Sequence, residues 1–130
     1  MYLYINTINH QKVEIGIIES DEQKLSSTTF SCQYQFQIKN KLLKAINKIL
    51  IKNKITLKNL DGIILANKSK EMTSLRIGIS AANALAYSLN IPIIGIKKPS
   101  QLLKAIKDFK TIKKFKPIKP EYEINPMLKK

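Results

Sequence analysis

An α/β fold built on one mixed five-stranded sheet is predicted for this chain by two observations. The first lies between Leu60 and Lys97, where strand, loop, helix and strand follow one another with little slack. Gly62 to Ala66 and Ile91 to Ile96 are apolar runs of strand length on either side of an Ala-rich helical stretch. A helical crossover between two strands requires them to be parallel and the connection to be right-handed. The second observation is a set of three β-rich segments before it, joined by connectors too short for anything but antiparallel hairpins.

The elements read in order as follows. Tyr2 to Asn6 is a strand. Val13 to Glu19 is another, with Val13, Ile15 and Ile17 alternating against Glu14 and Gly16, and Lys24 to Cys32 is a third, rich in Ser, Thr and Phe. Their connectors lie around Asn9-His10-Gln11 and Ser20-Asp21-Glu22. A helix from about Phe36 to Asn53 precedes the strand–helix–strand unit, and a last helix runs from about Ser100 to Phe109. Three antiparallel strands followed by helix, strand, helix and strand is the order of the ribonuclease-H-like half of the actin and sugar-kinase folds. About three helices therefore cover the sheet, in a single domain over residues 1–112. Residues 113–130 form a basic, Pro-containing C-terminal tail.

Composition sets the bounds on that reading. With 130 residues the chain has room for one core, and a 44% apolar fraction with regular periodicity argues against disorder. No apolar run approaches the ~18 residues of a bilayer span. Met1 to Asn6 lacks the basic flank and cleavage site of a signal peptide, so it reads as a strand. The single cysteine, Cys32, has no partner for a disulfide, and the cytoplasm is the expected location. The net charge of +14 invites an RNA-binding reading. Against it, Arg76 is the only arginine, and an excess of Ile, Lys and Asn also follows from an AT-biased genome. If any part touches RNA, it is the stretch from Lys97 to Lys119, through Lys97, Lys98, Lys104, Lys107, Lys110, Lys113, Lys114 and Lys116 beside Phe109 and Phe115.

The words of the central segment carry a family resemblance. Thr73, Leu75-Arg76-Ile77-Gly78, Ala81-Ala82, Ala84-Leu85-Ala86-Tyr87, Leu89 and Ile91-Pro92 match a pattern of Leu-Arg-Ile-Gly followed by an Ala-rich helix ending in Leu-Ala-Tyr-x-Leu-x-Ile-Pro. In this the chain resembles the TsaB (YeaZ) family, the non-catalytic partner in bacterial synthesis of threonylcarbamoyladenosine on transfer RNA. The family's Gly-Pro-Gly-Ser-Phe-Thr-Gly loop is replaced here by Asn67 to Ser74, without a glycine. The family has two ribonuclease-H-like halves, and only one can be present in this length. The ending from Lys116 to Pro126 is similar to the family's C-terminal Pro-x-Tyr segment. The resemblance implies docking on a TsaD-like catalytic paralogue through the first two helices.

Catalytic chemistry finds little support in the residues. Nucleotide-binding members of the fold need a phosphate-cradling hairpin and a carboxylate at the first strand. This chain has Asn6-Thr7 where the family commonly has Asp-Thr, and the hairpin beyond has no glycine. Glu14, Glu19, Asp21, Asp61 and Glu71 read as scattered surface acids, and His10, the only histidine, as an exposed turn residue. Ser69-Lys70 has no second motif to make it a nucleophile site. No metal-ligand or cofactor motif is present. The chain is expected to bind and not to catalyse, with no cofactor and no metal.

The helices indicate what kind of binding. On a wheel, the first carries Phe36, Ile38, Leu42, Leu43, Ala45, Ile46, Ile49 and Leu50 over roughly 180°, interrupted by Lys39. The second has a stripe of Leu75, Ile79, Ala82, Ala86 and Leu89, widened to about 220° by Ile77, Gly78, Ala81, Ala84 and Leu85. Packing on one sheet needs little more than ~100°. Either neighbouring helices consume the surplus, or another chain does, with small residues at Gly78, Ala81 and Ala84 permitting close approach. The expected partner interface comprises Phe36, Lys39, Leu43, Leu50, Thr73, Arg76, Ile77, Ala81, Ala84 and Ser88. The expected role is a scaffold subunit that supports threonylcarbamoyl transfer to tRNA, touching tRNA weakly or indirectly. A small RNA-binding protein and a homodimer through the same helices are the alternatives.

Overall fold

The computed structural model describes residues 1–19 and 24–121. Asp21, in the second connector, and the part of the Pro-containing ending from Tyr122 onward lie outside the described residues. Five strands form one sheet: β1 (Tyr2–Asn6), β2 (Val13–Ile18), β3 (Leu25–Phe30), β4 (Gly62–Ala66) and β5 (Ile93–Ile96), in the order β3-β2-β1-β4-β5. β1 pairs antiparallel with β2 and parallel with β4, so Tyr4 sits opposite Gly16 on one side and Ile64 on the other. β2–β3 is antiparallel and β4–β5 parallel. This is the predicted ribonuclease-H-like arrangement. Observed strand ends differ from expectation by a residue or two; β5 starts at Ile93 because Pro92 has no N–H for the ladder and contributes only its carbonyl, to Ile63.

Two helices, α1 (Ile38–Lys52) and α2 (Met72–Leu89), cover one face, and α3 (Leu102–Asp108) covers the other. Side chains alternate accordingly. Leu3, Ile5, Ile15, Ile17, Ile63 and Leu65 face the α1/α2 layer, whereas Tyr2, Tyr4, Ile18, Ile64 and Ile96 face α3. Central β1 and β4 are therefore buried on both sides, as parallel strands usually are. Under α3, Phe109 stacks on Tyr2 with ring centroids 4.7 Å apart, over the space left by the absent side chain of Gly62. Among the described residues, no helix is long and apolar enough to cross a membrane.

The end of α2 is fixed by a closure typical of helix C-termini. Asn90 turns left-handed (φ 53°, ψ 49°), its N–H bonds the Tyr87 carbonyl at 3.1 Å, and the N–H of Ile91 reaches the Ala86 carbonyl at 3.0 Å. The chain is thereby aimed into β5. At the other end, α2 approaches β1 so closely that a Cβ at Gly78 would overlap the Thr7 hydroxyl. Gly78 is buried in this contact, which corrects the expectation that it helps a second chain approach. The stripe Leu75, Ile79, Ala82 and Ala86 is buried as predicted, because it meets the sheet.

Gly78→Ala should destabilise the domain by overpacking, by about 1–3 kcal/mol. Urea denaturation measures it; an unchanged midpoint would show that Thr7 moves aside without cost.

Candidate functional site

In a sheet of this topology, ligands enter the crevice outside the carboxyl ends of the strands, where connections diverge. Here that place lies beyond Asn6 of β1 and Ala66 of β4. Its walls are tied together by the chain's own hydrogen bonds. Thr7 Oγ1 donates to the Ser74 carbonyl at 2.9 Å, with both residues fully buried. Ser69 Oγ donates to the Ile8 carbonyl at 2.6 Å and accepts the Glu71 N–H at 2.9 Å. Asn6 is turned onto its own strand, donating to the Tyr4 hydroxyl at 3.0 Å and accepting the Ile8 N–H at 3.1 Å.

The loop that lacks the glycines is thus held by side chains. Asn67 donates through Nδ2 to the Lys119 carbonyl at 2.8 Å and accepts the Glu121 N–H at 2.9 Å. Asn83 of α2 holds Ile118 in the same two-handed way, at 2.9 Å in each direction. With Phe115 edge-on to Tyr87 and Ile118 packed against the core, residues 115–121 form a strap from α2 to the end of β4.

Two expectations are corrected here. Glu71 is no isolated surface acid and His10 no exposed turn residue. His10 Nδ1 lies 2.6 Å from Glu71 Oε1, and that oxygen also accepts the His10 N–H and the Ser74 hydroxyl, each at 3.0 Å. Burial alone pushes the Glu71 carboxyl up; the His10 N–H, the His10 ring and the Ser74 hydroxyl outweigh it and hold the carboxyl below its ordinary value. The pair ties the β1–β2 turn to the start of α2. Of the other acids, Asp61 meets the chain's amino terminus and Glu14 accepts from Ser27 Oγ at 3.1 Å. Among the described residues no group of three His, Cys, Asp or Glu could hold a metal ion.

The surplus of the apolar arcs appears between α1 and α2. A groove of about 410 Å³ is lined by Lys39, Leu42 and Leu43 of α1 and by Ile77, Ala81, Ala84, Leu85 and Ser88 of α2. It adjoins a larger apolar hollow of about 630 Å³ under Ile46, Leu50, Ile51, Ile55 and Leu57, with Leu43 and Leu85 common to both. Six of the expected interface residues, Lys39, Leu43, Ile77, Ala81, Ala84 and Ser88, therefore meet in one groove. Leu50 is 5% exposed and belongs to the core, bounding the hollow from inside. Phe36, Thr73 and Arg76 are exposed at the end where Gln35 Oε1 accepts the Ser74 N–H, outside both cavities. Arg76 is engaged there and not free.

Part of the surplus is consumed internally: Ile77, Ala81 and Leu85 are half-buried against the core. The rest stays open. Leu43 is 67% exposed and Phe36 56%, and Phe36 stacks on exposed Tyr34, at 5.7 Å. The lysines at 97, 98, 104, 107, 110, 113, 114 and 116 are all exposed, along α3 and its flanks; Lys97 pairs with Glu121 at 3.1 Å.

A family model described as "TsaD: tRNA N6-adenosine threonylcarbamoyltransferase" matches residues 37–115. The chain belongs to this family. Within it, the chain is TsaB/YeaZ-like. The tRNA threonylcarbamoyladenosine biosynthesis protein TsaB of Buchnera aphidicola subsp. Schizaphis graminum is 38% identical over 85 residues, which cover 65% of this chain and 40% of that relative. The solved structure of YeaZ from Pseudomonas aeruginosa superposes with a TM-score of 0.66 at 18% identity, over 82% of this chain and 48% of that one. A second Pseudomonas aeruginosa structure, described as similar to peptidase YEAZ, matches with a TM-score of 0.65 at 18% identity, over 82% and 47%. The structural likeness establishes the ribonuclease-H-like fold. The chain spans less than half the length of each of these relatives.

Two expectations follow from these contacts. Because the Glu71 carboxyl is held low in the folded state, its contribution to stability is complete above its ordinary value of 4.5 and is lost as pH falls through the lowered one. Glu71→Gln should remove that acid-side loss, so thermal melts of the two chains across acidic pH should converge at the low end. Calorimetry with ATP and magnesium should detect no binding tighter than high micromolar, and tighter binding would show that these contacts give way.

Proposed function

We propose that this chain acts in tRNA threonylcarbamoyladenosine biosynthesis as a non-catalytic subunit that docks on a TsaD-like enzyme through the α1/α2 groove. The observation that carries the reading is the groove itself. Six side chains chosen as interface residues from helical spacing and family resemblance line one open, largely apolar depression. A contiguous apolar surface of this kind marks a binding site more often than an ordinary exterior. Family membership and the TsaB relative's printed role support the pathway.

The small side chains of Ala81 and Ala84 on one wall let a partner helix approach closely. Leu43, exposed on the opposite wall, offers the apolar area that such a helix would bury. The commitment of Thr7, Ser69, Glu71 and Asn67 to hydrogen bonds within the chain supports a division of labour in which the partner supplies nucleotide and metal chemistry. A second copy of the chain is the competing occupant of the groove.

Ala84→Glu tests the reading most cleanly, because Ala84 is exposed and its replacement leaves the isolated fold intact. Association with a TsaD-like partner should weaken by about 2–4 kcal/mol, roughly 30-fold to 800-fold, since the carboxylate would be buried unpaired. Leu75→Glu should instead unfold the domain, because Leu75 is fully buried against the sheet. Circular dichroism reports folding, and sedimentation with and without the partner distinguishes hetero-association from self-association. Unchanged partner binding by folded Ala84→Glu would remove the groove from the interface.

A further inference from the structure

Helix α1 has two chemically opposite flanks, and the proposed function uses only one. Lys41, Lys44, Lys48 and Lys52 fall within about 80° of one another on the wheel, and Leu43 lies about 140° or more from Lys41 and Lys48. The apolar flank faces α2 and the groove. The basic flank faces β3, the edge strand of the sheet.

Between α1 and β3 lies a separate cleft of about 190 Å³, lined by Lys41, Lys44, Ala45 and Lys48 from the helix and by Thr28, Thr29 and Phe30 from the strand. Three lysine side chains line it, and no acidic residue does. From Gln33 to Leu60 the chain carries seven lysines and no acid, so nothing on α1 itself neutralises the flank. Glu14, opposite Thr29 in strand register, is bonded to Ser27. Lys41 Nζ donates to the Ser31 carbonyl at 3.0 Å, which fixes its stem at the cleft and leaves two of its N–H bonds for an anion.

We propose that this cleft holds backbone phosphates of RNA. The inference deepens the proposed role, on which the choice of RNA as the polyanion rests. Lysines at one-turn intervals along a helix can meet successive phosphates, and Thr28, opposite Ile15 in register, is on the same face of the sheet as the helix. Ammonium groups attract phosphates through charge, so contact is to the backbone and without sequence preference. Because the two flanks lie on opposite sides of one helix, RNA in the cleft and a protein in the groove can be bound at the same time. The chain would then hold tRNA beside the docked enzyme.

Fluorescence anisotropy of labelled, unmodified tRNA with the full chain across a salt series tests this. The Lys41→Gln/Lys44→Gln/Lys48→Gln variant should bind about tenfold more weakly, and the slope of log affinity against log salt should shrink by about 2, as expected for three lost phosphate contacts. The corresponding triple Arg variant should retain both. Lys104→Gln/Lys107→Gln/Lys110→Gln, with the same change in net charge on α3, should change the slope less. Equal losses in the two Gln variants would reduce the effect to net charge and overturn the proposal, as would an unchanged slope in the first. Competition by polyglutamate as effective as by unlabelled RNA would assign the cleft to an acidic protein and overturn it too. Ala84→Glu in the same assay should keep the tRNA slope, so loss of the cleft and loss of the groove are read separately.

Discussion

The close approach of α2 to the end of β1 governs much of this molecule. Gly78 lets the helix settle against Thr7, and the Thr7 hydroxyl then bonds the Ser74 carbonyl inside the core. A buried hydroxyl without that partner would cost a few kcal/mol, so the contact holds both depth and axial position. Once α2 sits there, Leu75, Ile79, Ala82 and Ala86 reach the sheet, and Ala81 and Ala84 are left on the side toward α1. The groove is therefore a consequence of how deeply α2 is seated.

The same seating ties the walls of the crevice together. Glu71, immediately before α2, is brought beside His10 in the β1–β2 turn, and Ser69 reaches the Ile8 carbonyl. These polar groups satisfy one another. In the loop without glycines, Asn67 and Ser69 make the holding contacts, and Asn67 spends its amide on the strap.

What was legible beforehand was what short-range pattern determines. β1 and β4 run between the predicted residues because both are continuous apolar segments, and α2 buries the predicted stripe of Leu75, Ile79, Ala82 and Ala86. The Ala81 and Ala84 positions follow from the 3.6-residue period. The pairing of His10 with Glu71 was illegible because 61 residues separate them and neither belongs to a motif. Gly78 was misassigned for a related reason: a small residue on a helix looks the same whether a second helix or a threonine of its own sheet lies against it. The clasp of Asn83 on Ile118, across 35 residues, likewise leaves no local trace.

The division of α1 into a basic and an apolar flank gives the high net charge a spatial meaning that composition alone lacks. A uniform scatter of lysines would place some of them around the groove and oppose burial of a partner there. Instead, Lys39 is the one lysine lining the smaller groove, while Lys41, Lys44 and Lys48 gather on the far side of the helix. Lys39 reaches the rim with its aliphatic stem and can keep its ammonium in water, so it opposes docking little. The charge leaves the apolar groove available and concentrates beside a strand edge that has no neighbour among the described residues. A row of like charges of this kind attracts a polyanion, while the apolar flank of the same helix stays free of it.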